Sequence, residues 1–343
     1  MDIHRETTHR TTSHRMAKAL GTLHHRTSPD GATSPGPGPV LTAVERLEQA
    51  SQADPLIELL RRAVRAVPLG PARDLLHGRP LGHPAHPLLV QVPIGTWLSA
   101  AVLDLLPGQR AAAHVLIGTG LAAAAPAAAA GWADWAELPP EQARTGLVHA
   151  LGNTTAIALY TASFVARARG RTLRGKALAL AGLATVGAAG ALGGHLAYRQ
   201  AAGANHAEQV EHLVRDGWHH LGSLAGFPLG RATRARVDGV DVLVVREDDG
   251  TVRALADRCA HMGGPLSEGE IADGCVRCPW HGSVFRLSDG WNVRGPATAP
   301  QPAFETRVVD GRVEARLRHD HDPRRRRRTT GPVTARAAGA GET

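Results

Sequence analysis

Four long stretches without charged side chains dominate the hydrophobic pattern of the first two thirds of the chain. Residues 80–103, 111–130, 145–166 and 177–198 contain 24, 20, 22 and 22 residues. About 20 mostly apolar residues cross the hydrocarbon core of a bilayer as a helix, so each stretch is long enough to span it. The pattern predicts an all-α, four-helix transmembrane domain over residues 76–203. Because the stretches are rich in Ala and Gly rather than Leu, a soluble helical bundle is the alternative.

A shorter helical pattern precedes these stretches, within residues 41–75. Apolar residues recur at helical spacing there, and Arg61, Arg62 and Arg65 are expected on the opposite side of the helix. Such an amphipathic segment lies on an anionic membrane surface or packs on protein, and both alternatives stay open. Residues 1–40 are rich in Thr, Ser, His, Pro and Gly without an apolar period, so we expect a disordered tail.

The pattern changes from helical to β-rich after residue 217. Short runs rich in β-branched residues are separated by Asp-Gly pairs, which favour tight hairpin turns because Gly tolerates positive φ. We therefore expect a separate all-β domain over residues 217–318, joined to the helices by a linker at 204–216. The runs considered as strands are residues 231–237, 240–246 and 252–256, with two more flanking Asp310 and Gly311.

The net charge of +8 depends strongly on one run, Arg324 to Arg328, within residues 319–343. Such a run is usually a solvated tail, so we expect a basic disordered tail there. No nucleic-acid partner is expected.

Two cysteine–histidine pairs stand in the predicted β domain. Cys259 and His261 are followed, after sixteen residues, by Cys278 and His281. Two ligands from each of two loops can converge on one metal centre, and thiolates with imidazoles bind iron–sulfur clusters, zinc or copper. A zinc site that uses these four residues, or Cys275 in place of a histidine, is the alternative.

The residues around these pairs carry a family resemblance. RCAHMGGPL, CPWHG and the proline-rich GPATAPQP at 295–302 closely resemble the Rieske [2Fe-2S] family, over residues 217 to about 318. The resemblance implies that Cys259 and Cys278 bind one iron of a [2Fe-2S] cluster, and that His261 and His281 bind the other. A second resemblance covers roughly residues 70–203. LGHPAHPLLVQVPIGTW, GWADW, HALGN and GALGGHLAY are similar to domain-of-unknown-function family 2231, which implies a four-helix membrane domain.

The reduction potential of the cluster is expected towards the low end of the Rieske range of about −150 to +300 mV. High-potential relatives carry a disulfide between the two loops, and the matching positions here are Gly264 and Trp280. They also place a tyrosine hydroxyl near a cysteine sulfur, where this chain has Phe285. Ser283 is the remaining hydroxyl donor, and fewer donors stabilise the reduced cluster less.

Three histidines of the predicted spans, His86, His149 and His195, are expected at one depth on the side of the β domain. Ionisable side chains within a membrane are costly and point to a site. These three histidines would either hydrogen-bond one another and the helix ends, or bind a b-type haem, a quinone or a metal. Asn153 could orient His149, and His114 belongs to the opposite side.

These features favour a membrane-tethered protein that transfers single electrons through the cluster, between a donor and an acceptor that the sequence does not identify. We expect no substrate-converting site of its own. The alternatives are a redox sensor acting on the membrane domain, or the ferredoxin component of an oxygenase system. His206 and His212 are spaced loosely like oxygenase iron ligands, but we expect them to be solvated in the linker.

The chain is expected in the cell membrane as a multi-pass protein. Basic residues near the predicted spans are almost evenly divided between the two sides, so they do not decide the orientation. The first fifty residues lack the apolar core of an export signal, and the three cysteines form no disulfide framework. We therefore expect the β domain on the cytoplasmic side.

Overall fold

The computed structural model describes residues 38–319, which form a helical part followed by a β domain. Both predicted disordered tails lie outside the described residues, except for residues 38–40 and residue 319. The first helix begins at Pro39, so it starts just inside the predicted N-terminal tail. The helices are α1 Pro39–Glu48, α2 Asp54–Ala66, α3 Ala72–Leu76, α4 His86–Leu89, α5 Gln91–Leu103, α6 Arg110–Trp135, α7 Pro140–Ala168, α8 Thr172–Tyr198 and α9 Val210–Leu213.

Three segments of the described chain are long and apolar enough to cross a membrane: His86–Leu103, Arg110–Trp135 and Thr172–Tyr198. The third uncharged stretch lies in α7, which does not meet the same criterion and packs along α8. Helix α7 begins with Pro140, whose missing N–H costs nothing in the first turn. It ends before Gly170, whose φ of +74° suits a helix C-terminus.

The outward-facing side chains of these helices are largely apolar. In water such a continuous surface would be costly, whereas acyl chains would cover it without loss. The helical part therefore has the surface of a membrane domain. The exposed large apolar side chains include Leu88, Val92, Leu98, Val102, Val115, Leu151 and Leu180.

The helical part contains two copies of one helical hairpin, a feature that the sequence analysis missed. The buried positions of α5 recur in α7 after 63 residues, and those of α6 recur in α8 after 62 residues. In α5 and α7 they are Pro93, Trp97 and Ala100, matched by Ala156, Tyr160 and Ser163. In α6 and α8 they are Ala113, Ile117, Gly120, Ala124 and Ala127, matched by Gly175, Ala179, Gly182, Val186 and Ala189.

Matching residues of the two copies contact each other. The rings of Trp97 and Tyr160 stack with centroids 4.1 Å apart and planes at 12°. Near the other end of these helices, Arg167 donates to the carboxylate of Asp104. Because each contact joins equivalent positions, an approximate two-fold axis parallel to the helices relates the copies.

Glycine allows each stacked ring to lie against the backbone of the neighbouring helix. A Cβ at Gly120 would lie 2.2 Å from Nε1 of Trp97, and one at Gly182 would lie 2.9 Å from the ring of Tyr160. Small residues commonly permit such close approach between membrane helices. The two hairpins therefore share both their buried positions and their means of packing.

Helix α2 packs on protein through part of its apolar side, while Leu56 and Leu59 stay exposed. Ile57 is buried with Leu60 and Val64 against the end of α6 and the start of α7. The prediction for two arginines was wrong, because they lie on the packed side. Arg61 donates to the carbonyl of Leu138, and Arg65 donates to Ala136 and Glu137. These carbonyls follow the end of α6, where a helix leaves acceptors without partners.

The β domain contains ten strands in two antiparallel sheets, with the orders β1-β10-β9-β4-β3-β2 and β5-β6-β7-β8. The predicted Asp-Gly turns are confirmed, since Asp238 and Asp310 have φ of 47° and 49° in the β2–β3 and β9–β10 hairpins. The strands are β1 His219–Ser223, β2 Ala232–Val237, β3 Val240–Arg246, β4 Val252–Ala256, β5 Glu270–Ala272, β6 Cys275–Arg277, β7 Val284–Arg286, β8 Asn292–Arg294, β9 Ala303–Val309 and β10 Arg312–Leu317.

Residues 204–216, predicted as a linker, pack against the β domain. Ala207, Val210 and Val214 are buried in its two cores. His212 is exposed and bonds to Glu208, as expected of a solvated residue. The expectation was wrong for His206, whose Nε2 is buried. The two candidate oxygenase ligands therefore lie in different environments.

Glycine packing generates the first prediction. Gly182→Ala should lower the thermal unfolding temperature of the detergent-solubilised protein, because the new Cβ would overlap the Tyr160 ring. Overpacking of this kind typically costs about 1–3 kcal/mol. Gly190→Ala in the same helix is the control, since its Cβ would meet nothing within 4 Å. Equal unfolding temperatures for the two variants would contradict the packing argument.

Candidate metal centre

Two loops of the β domain carry the predicted ligands, and their backbones follow the same path. In the first, the N–H of Cys259 donates to the carbonyl of Gly264 (2.9 Å), and Gly263 donates back to Cys259 (2.8 Å). The second loop repeats both bonds. The N–H of Cys278 donates to the carbonyl of Ser283 (2.8 Å), and the N–H of Gly282 donates to the carbonyl of Cys278 (3.1 Å). The first loop follows β4, and the second joins β6 to β7.

Glycine makes this loop geometry possible. Gly263 and Gly282 occupy the fourth position after each cysteine, with φ of +77° and +71°, where other residues are strained. A Cβ at Gly264 would lie 3.1 Å from the sulfur of Cys278 and 2.9 Å from the ring of Trp280. The two loops can approach closely because this side chain is missing.

The two loop cysteines are buried and hydrogen-bonded to each other. Their shared hydrogen bond, with burial, raises the pKa of Cys259 well above its usual range. The same hydrogen bond lowers the pKa of Cys278 to about 6, helped by the backbone N–H groups of Trp280 and His281. Removing the second proton from this buried pair would place two negative charges together. A cation bound between the sulfurs would relieve that repulsion, so the thiols fit a metal such as iron.

The two loop histidines form a second pair, with ring centroids 5.0 Å apart and planes at 87°. Burial, together with the charge of the neighbouring His281, lowers the pKa of His261 to about 3. Burial also lowers the pKa of His281. The Nδ1 of His261 is buried and lacks a hydrogen-bond partner in the described part of the chain. A neutral imidazole with a buried, unpartnered nitrogen fits a metal ligand.

The four residues are thus arranged as two pairs. Within residues 38–319, no three His, Cys, Asp or Glu side chains group to hold a single metal ion. A cluster of two irons takes two protein ligands on each iron, which matches a cysteine pair beside a histidine pair. Cys275 lies on β6 opposite Arg286 of β7, as predicted for a strand residue leading into the second loop.

A glutamine that the sequence analysis missed fixes the first loop. Gln301 is 2% exposed, and its Oε1 accepts from the N–H of Ala260 at 3.0 Å. Its Nε2 donates to the carbonyls of Ala256 and Arg258 at 2.7 and 2.6 Å. The position between two prolines, in the proline-rich segment at 295–302, was the available signal.

The residues expected to tune the potential lie beside the cysteines. Phe285 is fully buried in the same core as Cys259 and Cys278. Ser283 is buried, and its hydroxyl oxygen accepts from the N–H of Ala297 at 3.1 Å. The hydroxyl hydrogen of Ser283 stays available for another acceptor.

Two of the three membrane histidines are brought together. The rings of His86 and His149 have centroids 6.0 Å apart and occupy equivalent positions of the two hairpin copies. Each Nδ1 bonds to a helix carbonyl, Ala127 at 2.8 Å and Ala189 at 2.7 Å. A glycine follows each carbonyl residue by four positions, Gly131 in α6 and Gly193 in α8. A Cβ at either glycine would contact the histidine ring.

The predicted three-histidine site was wrong in its third member. His195 lies apart from the pair and bonds to the carboxylate of Glu48 at 2.7 Å. Asn153 donates to Nε2 of His149 at 3.1 Å, so it orients this ring as predicted. The haem prediction rests on His86 and His149 alone, and binding by His149 would require Asn153 to release that nitrogen. His114 stacks on Phe164 and lies near Arg110 and Arg167, at the opposite end of the helices as predicted.

Two family models match the chain, the Rieske [2Fe-2S] domain over residues 217–305 and a predicted membrane protein family, DUF2231, over residues 82–206. The chain is 35% identical over 100 residues to the anthranilate 1,2-dioxygenase ferredoxin subunit of Burkholderia cepacia, covering 29% of this chain and 92% of the relative. It is 37% identical over 75 residues to apoptosis-inducing factor 3 of Mus musculus, covering 22% of this chain and 12% of the relative. The solved ferredoxin of carbazole 1,9a-dioxygenase from Nocardioides aromaticivorans IC177 aligns at 25% identity with a TM-score of 0.28, covering 29% of this chain and 98% of that one.

The buried phenyl ring generates the second prediction. Phe285→Tyr should raise the one-electron midpoint potential of the centre, because the new hydroxyl can donate to a sulfur. A net hydrogen bond of about 1 kcal/mol corresponds to roughly 40 mV for a one-electron couple. Phe304→Tyr, buried in the other core of the β domain, is the control and should leave the potential unchanged. An unchanged or lower potential in a folded Phe285→Tyr protein would refute this account.

Proposed function

Because the chain belongs to the Rieske [2Fe-2S] domain family and joins this domain to a DUF2231 membrane domain, we propose that it is a membrane-tethered carrier of single electrons. The observation that carries the proposal is the arrangement of two facing loops with a cysteine pair and a histidine pair. The match to 92% of a ferredoxin subunit supports a carrier, since that relative is a separate electron-transfer component.

In this proposal Cys259 and Cys278 bind one iron, and His261 and His281 bind the other. The bound cluster would supply one-electron transfer. The chain holds the sulfurs close together through the glycine turns of both loops. Gln301 holds the first loop in place through three hydrogen bonds. The buried imidazoles stay neutral, so they are ready to bind iron without losing a proton.

The ferredoxin component of an oxygenase system is a second candidate, because the chain is similar to 92% of a dioxygenase ferredoxin subunit. In this role the electron acceptor would be an oxygenase protein. A redox sensor that acts on the membrane domain stays a further hypothesis. Sustained electron flux through the protein would support a carrier over a sensor.

We place the protein in the cell membrane with its Rieske domain in the cytoplasm. All three described cysteines are free thiols, which suits a reducing compartment. Helix ends on the two sides carry similar numbers of basic residues, so the proposed orientation is supported by the free thiols alone.

The ligand set generates the third prediction. Cys259→Ser and Cys278→Ser should each abolish the electron paramagnetic resonance signal that dithionite produces in the purified protein. Cys275→Ser is the matched control and should keep the signal, because this residue lies on β6 outside the thiol pair. Loss of the signal in Cys275→Ser with retention in Cys259→Ser would overturn the ligand assignment.

The orientation generates the fourth prediction. In intact cells, an epitope tag at the C-terminus should resist added protease and become cleavable when the membrane is made permeable. Cleavage of the tag in intact cells would place the Rieske domain outside the cytoplasm. A tag inserted in the loop between α5 and α6 should show the opposite behaviour.

A further inference from the structure

The histidine side of the proposed cluster faces the helical part of the chain. His281 lies close enough to Glu137, Arg65 and Arg61 for their charges to act on it. His261 lies similarly close to His77, which precedes the first membrane span. Both imidazoles are only partly exposed. Hydrogen bonds between Asp74 and Gly295 and between Arg79 and Asn292 join the helical part to the segment beside the second loop. The histidine edge, which in the proposed function is one side of the cluster, therefore lies beside a surface of the same chain.

This surface is preformed by hydrogen bonds and ion pairs. We call it the seat, formed by Arg61, Arg65, Asp74, His77, Arg79 and Glu137. Arg65 pairs with the buried Glu137 at 2.9 Å, and His77, 2% exposed, bonds to Asp134 at 2.8 Å. These bonds hold the side chains of Arg65, Glu137 and His77 in place within the seat.

Two residues of the seat, Asp74 and Arg79, hydrogen-bond to the Rieske domain beside the second loop. The carboxylate of Asp74 accepts from the N–H of Gly295 at 3.2 Å. Arg79 donates to the carbonyl of Asn292 at 3.4 Å and pairs with Asp74 at 3.2 Å. Gly295 begins the proline-rich loop, and a Cβ there would lie 2.7 Å from Cα of Ser283. The Asp74–Arg79 pair thus holds a segment that is in contact with the second loop.

The connection between the two domains has little free length. The N–H of His206 donates to the carbonyl of Ala260, between the two ligand positions of the first loop, at 2.9 Å. Ala207 is buried in the core of the Rieske domain. On the helical side, Gln142 donates to the carbonyl of Gln200 at 2.8 Å. Both loops are therefore anchored to the rest of the chain, and a packed segment joins the domains.

We propose that the helical domain is the docking partner of the histidine edge, and that the Asp74–Arg79 pair keeps this edge closed to soluble redox proteins. The inference rests on the proposed function, because it concerns the same cluster. A protein-sized electron acceptor could reach the histidine edge only after the seat opens. A small acceptor would need no such opening, because it can approach the cluster from other sides.

The test compares two oxidants of the dithionite-reduced, full-length protein in stopped-flow experiments. Ferricytochrome c is the protein-sized acceptor and ferricyanide the small one, and each takes one electron from the cluster. The double variant described next keeps the net charge of the protein, because it removes one acidic and one basic side chain, and both oxidants are used at the same low ionic strength. The variant Asp74→Ala/Arg79→Ala should react with ferricytochrome c about tenfold faster than the unmodified protein, because the rate follows the open fraction. Its rate with ferricyanide should change by less than about twofold, since that acceptor does not depend on the open fraction.

The control variant is Arg236→Ala/Asp241→Ala, which removes an exposed ion pair of the β2–β3 hairpin away from the seat. It should react like the unmodified protein with both oxidants. If the alanine variant loses its cluster, Asp74→Asn/Arg79→Gln removes the charges more mildly and serves the same comparison. If a seat variant keeps its resonance signal and reacts with ferricytochrome c at the rate of the unmodified protein, the proposed closure by the Asp74–Arg79 pair is wrong and the proposed function is unaffected. Absence of that signal from the unmodified protein would overturn the proposed function, and the seat with it.

Discussion

The burial of the Cys259 and Cys278 side chains next to each other is the constraint on which the metal centre depends. It requires two loops from different sheets to meet, and they can meet only because glycines turn both backbones and leave room for the sulfur. Burial makes a second thiolate costly, so the pair favours a bound cation. The fold of the β domain thus buries two thiols whose joint deprotonation is costly, and a bound metal centre would offset the repulsion between the two thiolates.

The helical part continues this polar chemistry beneath the histidines. His77, Asp134 and His86 form a line of polar groups at the end of the helices that meets the Rieske domain, and His86 lies beside His149. Each is held by a defined hydrogen bond, and a separate polar pair, Asp104 with Arg167, lies at the opposite end of the helices. In the proposed function, the polar groups beside the Rieske domain would give the membrane domain a role besides anchoring.

Local patterns predicted the two loops that carry Cys–His pairs, the Asp-Gly hairpins and the apolar helices, because short sequence spacing decides each of them. Long-range contacts were missed. His195 bonds to Glu48, which is 147 residues away, and the alternating direction of successive helices cannot reveal such a contact. Arg61 and Arg65 join the packed side of α2 because their long side chains reach free carbonyls at the end of α6. Composition made 204–216 resemble a linker, although Ala207, Val210 and Val214 follow a packing pattern.

The duplicated hairpin has a consequence for how the chain enters the membrane. Each copy contains an even number of helical passes, so the second copy takes the same orientation as the first. The first hairpin to be synthesised can therefore set the orientation of the whole helical domain. The side on which the Rieske domain folds would be decided before its first strand leaves the ribosome. Biogenesis of the cluster would then follow an orientation that the hairpin of α5 and α6 had already set.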